Sequence, residues 1–377
     1  MKEILVVFGT RPEAIKMCPL ILELYRRKAF RVTVAVTGQH REMLAGVLAS
    51  FGIRPQYNLA IMRKGQTLSE VTTAVLEGIF DILSQHRFDC VLVHGDTATA
   101  FAASLAAFYA KVPVAHIEAG LRTYDKHAPF PEEFNRRTIA LIADYHFAPT
   151  VWARENLIKE GVLEECVFVT GNTGIDALRY GVQSSSEELF ESKRLLLLTA
   201  HRRENLGEGM RSAFCGIKRA LLAHPDVCLI YPMHKNPKVR EVAKEVFDRC
   251  DQAILTDPMD YSDFCRLLSA CYLVLTDSGG IQEEAPYFGK PVLVLRDKTE
   301  RPEGVAAGVL RLVGCEEERV FNALCEFLDR EESYRAMSHA ESPFGDGHAS
   351  ERIADVLDPE PQRNFAGTLR PHRLRPC

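Results

Sequence analysis

Along most of its length this chain alternates short runs of Val, Ile and Leu with longer segments whose apolar residues recur at helical spacing. A short, continuously apolar run fits a strand buried on both faces, and a helix-length spacer brings the chain back to start a parallel neighbour. The pattern predicts strands at Ile4–Phe8, Arg31–Val36, Cys90–His94, Val114–Ile117 and Tyr145–Phe147, with helices near Ala14–Arg27, Gln66–Gln85, Thr99–Ala110 and Glu132–Ala143. Cys166–Val169, followed by Gly171-Asn172-Thr173-Gly174, reads as a hinge. The pattern then restarts, with strands at Leu195–Thr199, Val227–Tyr231, Ala253–Leu255, Tyr272–Leu275 and Pro291–Leu295. Helices near Glu208–Leu222, Pro237–Phe247, Tyr261–Ser269 and Gly280–Phe288 separate these. The expected fold is α/β, two Rossmann-like doubly wound domains facing a central cleft.

A length of 377 residues agrees with two domains at about 150 residues each. The expected division is an N-terminal domain over 1–170 and a second over 171–345. A helix over 346–358 is expected to return to the first domain, and 359–377 to form a flexible tail. That tail carries four prolines and four arginines against one acid, a composition suited to an unpacked terminus. A net charge of −5 argues against a nucleic-acid partner. No run approaches the ~20 apolar residues that span a bilayer, and Gly-Thr-Arg-Pro-Glu directly after Ile4–Phe8 breaks any signal-like apolar stretch. The eleven cysteines are scattered, with no C-x-x-C pair. That pattern reads as reduced thiols of a cytoplasmic protein, neither a disulfide framework nor a zinc site.

In open parallel sheets ligands bind beyond the carboxyl ends of the strands, and here those ends carry reactive residues repeatedly. They read Gly9-Thr10-Arg11, Thr37-Gly38-Gln39-His40, His94-Gly95-Asp96 and His116-Ile117-Glu118 in the first half. In the second they read Ala200-His201-Arg202, Pro232-Met233-His234 and Asp277-Ser278-Gly279-Gly280. The segment Thr276–Ala285 leads a strand through Ser-Gly-Gly into a helix, whose free amides and dipole suit a diphosphate. Glu284, one turn into that helix, is placed to accept both hydroxyls of a ribose. No G-x-G-x-x-G opens a helix after the first strand, and G-x-x-x-x-G-K-[ST], H-E-x-x-H and D-x-D are missing. Neither a nicotinamide cofactor, a P-loop nor a catalytic metal is indicated. Asp96, Glu118 and Glu132 form an acidic set whose mutual repulsion is expected to raise at least one pKa. Arg11, Lys16, Arg202 and Arg301 supply positive charge suited to a leaving diphosphate.

Several of these segments together carry a family resemblance. Residues 9–17 (Gly-Thr-Arg-Pro-Glu-Ala-Ile-Lys-Met), 38–44 (Gly-Gln-His-Arg-Glu-Met-Leu), 93–97 (Val-His-Gly-Asp-Thr) and 116–123 (His-Ile-Glu-Ala-Gly-Leu-Arg-Thr) resemble the non-hydrolysing UDP-N-acetylglucosamine 2-epimerases. So do 129–136, 170–173, 200–205, 231–237, the Asp-Ser-Gly-Gly segment and 296–303, in order and from residue 1 to about 357. The resemblance implies a glycosyltransferase-B type fold, a homodimer without metal or redox cofactor, and interconversion of UDP-N-acetylglucosamine and UDP-N-acetylmannosamine for cell-surface polysaccharide synthesis. It implies substrate-binding roles for Arg11, Lys16, Phe264, Ser278, Gly279, Gly280, Glu284 and Arg301. Catalytic roles are implied for Asp96, Glu118, Glu132 and His201. Gln39, Arg202 and His234 match a second, activating UDP-N-acetylglucosamine site of some members, from whose pattern Glu42 and Gly65 depart.

The C2 hydrogen of the sugar has no adjacent carbonyl to acidify it, so without oxidation the available route is elimination. UDP leaves C1 as a base takes the C2 proton, giving a 2-acetamidoglucal; a proton returns on the other face and UDP re-adds. Asp96, Glu118 and Glu132 are the proton-transfer candidates, with their individual roles open. A UDP-sugar transferase, a non-catalytic UDP-sugar sensor and a hydrolysing relative are the rival possibilities.

Overall fold

The Val/Ile/Leu runs pair exclusively in parallel among the described residues, which in this computed structural model are 1–38, 41–63, 65–182, 194–202 and 205–358. Two units result. The first comprises Met1–Ala177 and the segment from Gly347, the second Leu178–Asp346.

The sheet of the first unit contains β1 (Lys2–Phe8), β2 (Phe30–Val36), β3 (Tyr57–Asn58), β4 (Cys90–His94), β5 (Val114–Ile117), β6 (Tyr145–Ala148) and β7 (Val167–Val169). Their order is β3-β2-β1-β4-β5-β6-β7. The connecting helices are α1 (Arg11–Arg26), α2 (Arg41–Ser50), α3 (Leu68–Gln85), α4 (Ala98–Tyr109), α5 (Glu132–Ile142) and α6 (Val151–Lys159). Residues of β1 alternate between faces. Ile4, Val6 and Phe8 pack with Met17, Leu20 and Leu24 of α1, while Leu5 and Val7 pack with Val75 and Ile79 of α3 and Ala103 of α4. With both faces covered, the strand reads as an unbroken apolar run.

Helix α7 (Thr173–Val182) carries the chain across the boundary between the units. The second sheet consists of β8 (Arg194–Thr199), β9 (Val227–Pro232), β10 (Ala253–Thr256), β11 (Leu273–Thr276), β12 (Val292–Val294) and β13 (Leu310–Leu312), ordered β10-β9-β8-β11-β12-β13. Its helices are α8 (Glu208–Ala223), α9 (Pro237–Val246), α10 (Tyr261–Ala270), α11 (Gly279–Tyr287), α12 (Pro302–Ala306), α13 (Glu317–Asp329) and α14 (Glu331–Ser338). Leu196, Leu198, Phe214, Ile217, Tyr231 and Phe327 are among the residues of its core. Helix α15 (Ala349–Leu357) belongs to the first unit. Its Ile353 and Leu357 join the core beside α1, and the Asp176 carboxylate accepts the Ala349 and Ser350 amides at 3.1 and 2.7 Å.

Cys166–Val169, expected as a hinge, differs. Val167–Val169 is the seventh strand, with Val167 in register with His146 of β6. A three-residue run has no periodicity of its own, and the open edge of β6 makes it a strand. The same shortness hid β3 and β13. The expected basic tail from Pro359 lies outside the described residues, as does Gln39.

Candidate active site

Both sheets reverse strand order at one place, between β1 and β4 in the first unit and between β8 and β11 in the second. At such a switch point the connections leave to opposite faces and the carboxyl ends of the strands open a crevice. Each crevice is braced by a buried carboxylate. In the first unit it is Glu13, in the first turn of α1, whose Oε2 accepts the Gly9 and Thr10 amides at 3.1 and 2.8 Å. Its Oε1 accepts the Thr97 hydroxyl at 2.7 Å, tying the turn after β1 to the turn after β4. In the second it is Asp277, fully buried, which accepts the amides of His201 (2.9 Å) and Arg202 (2.9 Å) from the end of β8.

The first unit gathers the acids. Glu118, just past β5, is a non-glycine residue at φ 62°, a left-handed conformation that turns its side chain back over the strand ends. It forms an ion pair with Lys16 of α1. Its Oε2 also lies 3.4 Å from Asn172 Nδ2 and 3.8 Å from His94 Nε2. Gly95, beside the Glu118 carboxylate, has φ 62°, a left-handed backbone that glycine adopts without strain. The next residue, Asp96, meets Arg136 of α5, Nη2 to Oδ2 at 2.6 Å, while its carbonyl accepts Asn135 Nδ2 at 2.8 Å. Glu132 opens α5 with one buried carboxylate oxygen that has no hydrogen-bond partner among the described residues. Its neighbour Glu133 turns inward to accept the Thr123 and Tyr124 amides at 3.0 Å each.

Asp96 is held above the usual aspartate range by burial first, then by the fields of Glu118 and Glu132, against the opposing charges of Arg136 and Lys16. Burial thus outranks the carboxylate repulsion expected from sequence. His94 is pushed down to about 4 by burial, with Glu118 opposing and Lys16 adding. His116 is pushed down to about 3 by burial, against the hydrogen bond its Nε2 donates to Gly95 O at 2.7 Å. Both rings are therefore neutral near pH 7. Through that hydrogen bond His116 holds the loop that carries Asp96, and the His94 ring stands beside the Glu118 carboxylate.

The second unit gathers the groups suited to a diphosphate. Ser278 caps α11 without using its side chain on the helix amides. The Arg301 guanidinium lies against Gly279, where a Cβ would stand 3.3 Å from its central carbon. Glu283, buried, holds Arg301 Nε at 2.6 Å. Glu284 lies beside Gly280, 3.5 Å from the place a Cβ would occupy. Phe264, on α10, precedes Cys265, which feels the charge of Glu284. The rings of His201 and His234 stack with centroids 5.3 Å apart. His201 is held below the usual histidine range by burial first, with Asp277 opposing and His234 and Arg202 adding. Arg202 Nε donates to Asp277 O at 3.3 Å.

The first unit thus places Lys16, Asp96, Glu118 and Glu132 close enough to act on one another. The second places Arg301 beside Gly279, Glu284 beside Gly280 and His201 on His234. Arg11 is given by its place at the start of α1 and Phe264 by its place on α10. Sequence motifs included Arg136, Asn172, Asp277 and Glu283 but assigned them no part. Arg136 sits one helical turn after Glu132 on the inward face of α5, and that spacing was the available signal.

Paired Rossmann-like units with polar strand ends define the class: a double doubly wound α/β protein. The UDP-N-acetylglucosamine 2-epimerase family model matches residues 22–358, and the chain belongs to that family. It is 49% identical over 360 residues to the UDP-N-acetylglucosamine 2-epimerase of Bacillus subtilis strain 168, covering 94% of both chains. A crystal structure of a putative UDP-N-acetylglucosamine 2-epimerase from Listeria monocytogenes superposes with TM-score 0.89 at 48% identity, covering 94% of this chain and 95% of that one. The Neisseria meningitidis enzyme bound to UDP-GlcNAc superposes with TM-score 0.88 at 45% identity, covering 94% and 99%.

Proposed function

We propose that this chain interconverts UDP-N-acetylglucosamine and UDP-N-acetylmannosamine by eliminating UDP to a 2-acetamidoglucal and adding it back. The observation that carries the proposal is the acidic set of the first unit: Asp96 with a raised proton affinity, Glu118 paired with Lys16, and Glu132 with a buried oxygen that has no partner among the described residues. Proton abstraction at C2 and return to the opposite face need carboxyl groups that exchange protons near neutrality. Asp96, Glu118 and Glu132 carry those transfers. Arg11 and Lys16 add positive charge at the start of α1, and Arg136 orients Asp96.

The second unit retains UDP through both half-reactions. The Ser278-Gly279-Gly280 amides and Arg301 take the diphosphate, and Glu284 takes the ribose hydroxyls. Phe264 lines the nucleoside. His201, largely neutral, donates to a phosphate oxygen as charge develops on it. Arg202 and His234 are the residues on which a second UDP-sugar would act, with Gly65 and Glu42 departing from the activated pattern.

The family resemblance supports a cytoplasmic homodimer feeding cell-surface polysaccharide synthesis. Exposed Phe80 on α3, Phe108 on α4, and Phe134 and Leu141 on α5 give the first unit an apolar surface suited to a second copy. No helix among the described residues is long and apolar enough to cross a membrane.

The deciding experiment is incubation with UDP-N-acetylglucosamine in heavy water, followed by NMR. Deuterium at C2 with UDP-N-acetylmannosamine appearing is the expected outcome. UDP and free sugar accumulating instead identifies a hydrolase, and turnover only with an added acceptor identifies a transferase.

A further inference from the structure

At the far end of the second sheet from the diphosphate groups, three side chains of metal-ligating type converge. His224 caps the carboxyl end of α8, just before β9 begins at Val227, whereas the diphosphate groups follow the carboxyl ends of the strands. Cys325 and Asp329 lie one turn apart on α13, on one face of that helix. One ligand atom from each residue lies within 4.8 Å of the others, and His224 Nε2 is 3.0 Å from Asp329 Oδ1.

The geometry of the imidazole makes this more than proximity. Its Nδ1 lies 2.8 Å from the Ala220 carbonyl oxygen. A carbonyl only accepts, so Nδ1 holds a proton, and in the neutral ring the lone pair is on Nε2, facing Cys325 and Asp329. A ring nitrogen donating to a backbone carbonyl while the other faces a carboxylate and a thiol is the arrangement of a metal-bound histidine. A lone pair facing a carboxylate oxygen at 3.0 Å is repulsive unless positive charge stands between them. Either a proton on Nε2 or a cation supplies it, and the thiol favours the cation. Sulfur and imidazole together select zinc-like ions over magnesium or calcium. Tetrahedral zinc, with bonds of about 2.0 Å to nitrogen and oxygen and about 2.3 Å to sulfur, spaces its ligand atoms by roughly 3.3–3.7 Å. The three atoms, all within 4.8 Å of one another and with one pair at 3.0 Å, bracket that spacing.

We propose that His224, Cys325 and Asp329 bind a zinc ion, with water completing the tetrahedron, and that the ion clamps the end of α8 to α13. On binding, the Cys325 thiol proton passes to solvent as the zinc–sulfur bond forms. Lying at the opposite ends of the strands from the diphosphate groups, the site is independent of epimerisation. Sequence gave no sign of it, because His224 and Asp329 are 105 residues apart and no C-x-x-C or H-x-x-x-H spacing is involved.

The test uses the full-length chain, stripped with chelator and titrated with Co²⁺ and Zn²⁺. The expected result is one tight Co²⁺ per chain, with near-ultraviolet thiolate-to-cobalt absorption and visible bands of tetrahedral intensity. Zn²⁺ displaces the cobalt and raises Tm. C325S abolishes the near-ultraviolet band, D329N weakens Zn²⁺ affinity at least tenfold, and both variants keep wild-type turnover. A band that survives C325S, Zn²⁺ affinity unchanged in D329N, or no stoichiometric binding at micromolar metal would each overturn the proposal. The last outcome would leave a proton-bridged His224–Asp329 pair.

Discussion

Arg136 Nη2 stands 2.6 Å from Asp96 Oδ2, so a residue one turn into α5 sets the charge of a residue at the end of β4. Without that guanidinium, burial and the fields of Glu118 and Glu132 would act on Asp96 with only Lys16 opposing. Arg136→Met is therefore expected to raise the Asp96 pKa further. The acid limb of the kcat profile moves to higher pH and turnover at pH 7 falls about tenfold or more. Arg136→Lys restores part of both. A profile in which neither limb moves would remove Asp96 from the proton-transfer steps.

Asp96 also makes a stability prediction whose sign follows from its raised pKa. A carboxyl group that binds its proton more tightly when folded favours the folded state below its unfolded pKa, and that contribution is lost as pH rises through the folded pKa. Asp96→Asn removes the titration. At pH 7.5 the variant is expected to have a Tm equal to or above wild type, with the difference shrinking as pH is lowered toward 4. Its kcat falls by about 100-fold or more while UDP affinity changes little. Thermal melts across pH, paired with UDP titration calorimetry, read both.

Asp277 accepts two amides from the end of β8 without exposure to water. Asp277→Ala leaves those donors unpaired and frees the His201–Arg202 turn. A loss of about 3 kcal/mol in urea unfolding is expected, with weaker UDP binding. Wild-type stability in this variant would show that the turn holds itself.

Gly9 is required by close packing. A Cβ there would lie 2.2 Å from Thr37 Oγ1 and 2.6 Å from Thr99 Oγ1, hydroxyls that bond each other at 3.1 Å. Gly9→Ala must displace one threonine and break that bond, which is expected to cost about 1–3 kcal/mol. Gly9→Ala combined with Thr37→Ala should recover part of the loss, because the nearer of the two obstructing hydroxyls goes with it.

The doubly wound architecture was legible in the sequence wherever a strand was long and buried on both faces. Ile4–Phe8 and Leu195–Thr199, short apolar runs between helix-length segments, read as buried strands. The start of α3 is set locally as well, by Thr67 and Glu70 capping each other within one turn. Strand ends marked the acids and the Ser-Gly-Gly turn, because reactive residues there are placed by chain direction alone. The three-residue strands β7 and β13 were not legible, since their pairing comes entirely from a neighbouring edge.

Only the tertiary structure decided which charge answers which. Lys16 to Glu118, Arg136 to Asp96 and Arg301 to Glu283 join residues 102, 40 and 18 positions apart, by contacts that no local pattern encodes. It also decided that burial, ahead of repulsion between carboxylates, raises the proton affinity of Asp96. Periodicity records which face of an element is covered, because that depends on residues a few places away. The strength of a field at a carboxylate depends on distance through space and on the water excluded around it, and both exist only once the chain has folded.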